Sequence, residues 1–256
     1  MKKFHFFTLF VAAFLAFAPS GQAQKTKTKP DVRSSAPKAG PAPKIQIGKA
    51  ESFKLDNGLT VIVMENHKLP KVSFRVFADY DPVLEKDAAG YVQMMGDLMS
   101  KGTTKRSKAQ IDEEIDFIGA SLSSSPNGVA GECLTKHADK LLDVMSDVLL
   151  HPTFPQEELD KAKRRTESGL AQEKNDANAI ARKVGSILRY GKDHPYGEEM
   201  TEASLAKINV DQMKALYNMA LKPNISYLVV VGDINKAKAE QYAKQYFGSW
   251  QKADVE

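Results

Sequence analysis

The sequence predicts an α+β fold, and three observations carry that expectation. Runs of alternating or continuous apolar residues fall in groups, near 53–80, 120–135 and 225–231, and long helical patterns lie between the groups. Turn signals, above all Asp56-Asn57-Gly58 and Pro126-Asn127-Gly128, sit between paired runs, as hairpins require. The composition, 42% hydrophobic and 27% charged over 256 residues, is that of a folded chain, neither wholly disordered nor a bundle of membrane spans.

In chain order, Met1-Lys2-Lys3 precedes an apolar run from Phe6 to Phe17, and Gly21-Gln22-Ala23 puts small residues at the −3 and −1 positions of a cleavage site. This is the pattern of a signal peptide over residues 1–23, its run too short to cross a bilayer of roughly 30 Å. It implies an exported protein, periplasmic or secreted, from a bacterium. Residues 24–49 hold Lys, Pro, Ala and Ser with few large apolar side chains, the composition of a disordered basic linker. The folded body is then 50–250. Charge supports this division. Residues 50–256 hold 27 Lys and Arg against 31 Asp and Glu, so the body is mildly acidic although the whole chain is +4. A nucleic-acid binder would carry its positive charge on the body.

Within the body, Phe53-Lys54-Leu55 and Leu59 to Met64 form a hairpin about Asn57-Gly58. A strand from Val72 to Tyr80 alternates Val72, Phe74, Val76 and Ala78 against Ser73, Arg75 and Phe77. A helix covers Asp87 to Ser100. Ser107 with Gln110 reads as a capping box for a helix ending at Ile118, whose buried face is Ile111, Ile115 and Ile118. Strands follow at Ala120 to Ser125 and Val129 to Thr135, then helices at 138–151, 156–175, 177–190 and 210–220. The apolar strand 225–231 and a helix at 236–247 complete the series.

Little in the residue inventory suggests local chemistry. Beyond His5, the histidines are His67, His137, His151 and His194, and no two lie within a helical turn of each other, as a local zinc motif needs. Cys133 is the only cysteine, which excludes an internal disulfide, and its strand setting predicts a buried inert thiol. No serine stands in a nucleophile elbow or an S-x-x-K motif. The helix 88–100 is the informative one: Tyr91, Val92, Met94, Met95, Leu98 and Met99 cover most of its surface. Gln93 and Asp97, at i and i+4 with Gly96 between them, form a polar stripe that faces a cleft or a second polar surface.

Taken together, several short segments resemble the pitrilysin/insulinase-type zinc peptidases, which include the mitochondrial processing peptidases. They are Leu55-Asp56-Asn57-Gly58-Leu59-Thr60-Val61, Gly90, Lys101-Gly102-Thr103, Gly119-Ala120-Ser121, His151-Pro152-Thr153-Phe154, His194-Pro195-Tyr196-Gly197, Val229-Val230-Val231-Gly232-Asp233 and Phe247-Gly248-Ser249-Trp250. Their order covers residues 50–250, and the resemblance implies that residues 251–256 are the start of a possible connection to a further domain. The resemblance implies one domain of such a metallohydrolase, an antiparallel or mixed sheet with helices packed on one face.

Active members carry an inverted zinc motif, H-x-x-E-H, on the equivalent helix. By that resemblance the two histidine slots hold Gln93 and Asp97, and the glutamate slot holds Gly96. The slot of the third ligand falls near Gly169, with Glu167 and Glu173 close by but out of register. The resemblance therefore implies a copy without catalytic or metal-binding residues, with zinc in a homologous partner domain, subunit or missing half, and peptide as the shared substrate. Peptide is expected along an edge strand, Ala120-Ser121-Leu122-Ser123-Ser124, unless that strand is an ordinary edge kept soluble by its serines. Two other readings stay open: an active peptidase using Asp97, Glu167 or Glu173, or zinc in the missing half, and a stand-alone peptide-binding scaffold. Metal analysis separates the first of these, and the presence or absence of a histidine-bearing homologue the second.

Overall fold

The computed structural model describes residues 40–42 and 48–253. The leader expected at 1–23 lies outside the described residues, as does most of the linker expected at 24–49. Contacts divide the chain into two units, 1–46 and 47–256, and the second holds all the elements below.

Six strands form one mixed sheet: β1 (Glu51–Lys54), β2 (Thr60–Glu65), β3 (Lys71–Ala78), β4 (Ser121–Ser125), β5 (Gly128–Leu134) and β6 (Ser226–Gly232), in the order β1-β2-β6-β3-β5-β4. Only β2 and β6 run parallel. Alternation decides which side of the sheet is covered. Val72, Phe74, Val76 and Ala78 of β3 are buried beside Val61 and Val63 of β2, Val129 and Cys133 of β5, and Leu228 and Val230 of β6. The other side of the sheet presents Arg75, Phe77 and Tyr227 to solvent, with Ile62, Met64, Val229 and Val231 half-buried among them.

The helices are α1 (Tyr91–Leu98), α2 (Lys108–Phe117), α3 (Ala138–Leu150), α4 (Gln156–Glu173), α5 (Ala177–Tyr190), α6 (Glu202–Lys207), α7 (Val210–Ala220) and α8 (Lys236–Phe247). Helices pack on the valine-lined face: α3 against β5, α8 against β2, and α1 against β4 and α7. Met95, Leu98, Leu141, Leu142, Met145 and Phe247 are fully buried there, each contributing about 1.5–3 kcal/mol through removal from water. Caps act where the sequence places them. Ser107 and Gln110 form the full capping box of α2, and Asp176, Asn209 and Asn235 cap α5, α7 and α8.

Two departures from expectation have local causes. The helix expected from Asp87 starts only at Tyr91, because Gly90 is left-handed (φ +109°) and the chain before it forms a separate 3-10 turn at Lys86–Ala88. A short helix, α6, stands where no element was expected, nucleated by a Thr201–Ser204 capping box too brief to give a periodic pattern.

Candidate functional site

Helix α1 is held at its start by two glutamates. The Glu85 carboxylate accepts the Gly90 and Val92 backbone N–H groups at 2.9 and 2.8 Å, so it caps the helix from outside. Glu198 accepts the backbone N–H of Glu85 at 2.6 Å and that of Lys86. Burial is the main cause raising the Glu85 pKa, and the neighbouring Glu198 charge acts the same way against the backbone donors of Val92, Gly90 and Tyr91. At Gly90 the absent side chain makes room for Met200, whose Cε would lie 2.3 Å from a β-carbon there. At the other end, Thr103 donates to Asp147 at 2.6 Å, and Gly102 turns the chain with φ +153°. Sequence reasoning missed both devices: Glu198 and Asp147 lie far along the chain from the groups they bond, and no local pattern marks Glu85, five positions before Gly90, as a cap.

Along the helix, Met94, Met95, Leu98 and Met99 are buried and Tyr91 and Val92 half-buried, as the apolar pattern requires. Gln93 and Asp97 are exposed, and the Gln93 amide donates to Asp97 Oδ1 at 2.9 Å. Gly96 departs from the expected stripe. It is buried under the β4–β5 hairpin, where a β-carbon would lie 2.2 Å from the Pro126 backbone nitrogen.

These residues do not fit a zinc ion. Gln93 offers a neutral amide and Asp97 one carboxylate, already bonded to each other, and position 96 has neither a carboxylate nor room for one. Gly169, at the expected third slot, opens onto a hollow of about 410 Å³ that Glu173, Lys183, Glu199 and Met200 also line. Glu173 is paired with Lys183 at 2.9 Å, and Glu167 is exposed. Among the described residues no three His, Cys, Asp or Glu side chains gather as a metal site.

The histidines are dispersed. His67 bonds Asp233 at 2.7 Å and Glu65 at 3.3 Å, His151 lies 3.3 Å from Asp147, and His194 stacks on Tyr190. His137 precedes α3 without capping it through its side chain. Cys133 is buried, and burial pushes its thiol up to about 11.

Strand β4 is an edge of the sheet, paired only with β5. Ser121 and Ser123 are exposed, while Leu122 and Ser124 are half-buried, Ser124 Oγ donating to Ser100 Oγ at 3.1 Å. Ala120 precedes the strand, its N–H spent on the Ile115 carbonyl at 3.1 Å. The second edge of β4 thus carries main-chain groups with no strand against them among the described residues.

Residues 61–189 match the insulinase family, peptidase family M16, and residues 207–256 match the M16 inactive domain. Among curated relatives, the chain is 24% identical over 206 residues to an uncharacterized zinc protease, YmxG, of Bacillus subtilis (strain 168), covering 78% of this chain and 50% of that one. It is 22% identical over 180 residues to a protein of Helicobacter pylori (strain ATCC 700392 / 26695) named a non-peptidase homolog, covering 68% and 42%. A crystal structure of a peptidase M16 inactive domain from Pseudomonas fluorescens superposes with a TM-score of 0.71 at 22% identity, covering 81% of this chain and 52% of that one. The chain spans about half the length of these relatives. With its sheet, its one-sided helices and its run of sequence markers in place, the chain belongs to the M16 peptidase family.

Proposed function

We propose that this chain is a non-catalytic domain or subunit of an exported, zinc-peptidase-like protein, which encloses and binds peptide beside a zinc-bearing homologous domain. One observation carries the reading: the helix that would hold the metal motif has Gln93 and Asp97 bonded to each other and Gly96 sealed by the hairpin. Without a ligand set and a base, a bound water would not be activated for amide hydrolysis. What survives is the scaffold and the open edge of β4, where a peptide adds as a further strand through main-chain hydrogen bonds, with Ser121 and Ser123 leaving the backbone approachable. The M16 inactive-domain match and the relative named a non-peptidase homolog support the same reading. Residues 1–23 support export through their basic start, apolar run and small-residue cleavage site.

The test is purification of the full chain alone and together with a histidine-bearing homologue from the same host, with zinc measured by mass spectrometry and cleavage measured on a quenched-fluorescent peptide library. Alone, the chain is expected to hold no stoichiometric zinc and cut nothing. With the partner, one zinc per pair and a marked gain in cleavage over the partner by itself are expected. Stoichiometric zinc and cleavage by this chain alone would replace the proposal with an active enzyme. Peptide binding with no effect of any such homologue would make it a stand-alone scaffold.

A further inference from the structure

Three helices of the domain carry an internal glycine, and the surroundings of the three differ in kind. A β-carbon built on Gly169 in α4 or Gly185 in α5 meets no atom within 4 Å. One built on Gly96 in α1 lies 2.2 Å from the Pro126 nitrogen, 2.4 Å from the Ser125 carbonyl carbon and 2.5 Å from Pro126 Cδ. The two nearest of these are main-chain atoms, so no rotamer change relieves the contact, and either the helix or the hairpin must move.

The hairpin tip is held from its other side. Ala78 N–H donates to the Asn127 carbonyl at 2.7 Å, and the Asn127 amide donates back to the Ala78 carbonyl at 3.0 Å. Tyr80 Oη donates to the Pro126 carbonyl at 3.2 Å. Just beyond the tip, Gly128 has φ +145°, and a β-carbon there would sit 2.3 Å from the Val76 carbonyl oxygen. The tip is therefore gripped between the end of β3 and the bare face of α1.

We infer that Gly96 is a positioning residue: the β4–β5 tip has settled into the space that a side chain at 96 would need, and this backbone contact sets the height of β4 over α1. Loss of the glutamate slot is then a matter of shape as well as of chemistry. Substituting the three motif positions alone would not rebuild a zinc site, because any side chain at 96 must first displace the hairpin. The inference concerns packing at 96 and stands whether or not β4 takes a peptide.

The test compares Gly96→Ala, Gly169→Ala and Gly185→Ala in the full chain by thermal melting and hydrogen exchange. At the two open sites alanine favours the helix, so the Tm is expected to rise by about 2–4 °C. At 96 the same change is expected to lower the Tm by at least about 4 °C and to speed exchange in residues 121–130 while leaving β2 and β6 protected. Failure of Gly96→Ala to fold, beside folded Gly169→Ala, supports the inference equally. A Tm that rises at 96 as at the open sites, or an unchanged hairpin, would overturn it. A second arm titrates zinc alone into Gln93→His/Asp97→His, with and without Gly96→Glu. The double variant is expected to keep the parent Tm and the triple to lose it. Stoichiometric zinc in the triple at an unchanged Tm would overturn the inference.

Discussion

The family markers that survive in this chain act one residue at a time as parts of the fold. The Asn57 amide donates to the carbonyls of Phe247 at 2.8 Å and Trp250 at 3.1 Å, so the first marker and the last meet in space. Gly58, with φ +93°, packs where a β-carbon would lie 2.8 Å from Asn224 Cβ, and Gly232, with φ +136°, where one would lie 2.2 Å from the Lys71 carbonyl oxygen. Phe154 is buried in the left-handed region at φ +51°, edge-on to Tyr217. Such residues were legible because each is a local necessity. The same scale yields a pH prediction at His67. Its hydrogen bond to Asp233, then that to Glu65, raises its pKa above the usual 6.5. The protonated form is favoured in the fold, so this contribution is complete below pH 6.5 and is lost as pH rises through the raised folded value. In an NMR titration His67 is expected to turn over above 6.5, and Asp233→Asn is expected to bring it back toward that value. A midpoint at or below 6.5 in the parent protein would contradict the observed pairing.

Among the elements, the junction between α2 and α3 rests on a charge cluster. Arg106 donates to Glu114 at 3.0 Å and to Asp147 at 2.9 Å, and it also pairs with Asp143. Burial works against its charge, but the bonds from Glu114 and Asp147 outweigh that and raise its pKa well above the usual range. Asp147 is only 2% exposed. Arg106→Ala would leave that carboxylate buried without its guanidinium, and about 3–5 kcal/mol of unfolding free energy is expected to go. Asp112→Ala, which removes an exposed partner of Lys108, is expected to cost less than about 1 kcal/mol. Urea unfolding of the two variants decides the matter, and equal losses would show that the cluster carries no special weight. The individual elements were readable from periodicity and caps. This junction was not, since Arg106 and Asp147 stand 41 positions apart and nothing local marks them as partners.

At the scale of the whole molecule, two apolar surfaces lack cover among the described residues. The sheet face opposite the helices bears Phe77, Tyr227, Val229 and Val231. On α5, Ile180, Val184 and Leu188 form an i, i+4, i+8 stripe in which Leu188 is 81% exposed. Exposed apolar surfaces of this kind suit a protein partner, and under the proposed function the homologous domain would cover them. Because the stripe is exposed, Val184→Glu with Leu188→Lys is expected to leave the Tm within about 2 °C. The same variant is expected to weaken association with the zinc-bearing homologue at least tenfold, read by calorimetry or analytical ultracentrifugation. Unchanged affinity would place the partner elsewhere.

By itself the sequence determined the fold class, most element boundaries, the family and the absence of the motif histidines. Each of these follows from local pattern: side-chain period, capping residues, glycines at forced turns, and residue identities at fixed spacing. Only the tertiary structure decided that Gly96 lies under the hairpin tip instead of in the Gln93–Asp97 stripe, and that Glu85 and Glu198 seat the helix. Those outcomes depend on which distant segments come to lie against each other, and close packing of backbone on backbone leaves no trace in the period of either segment.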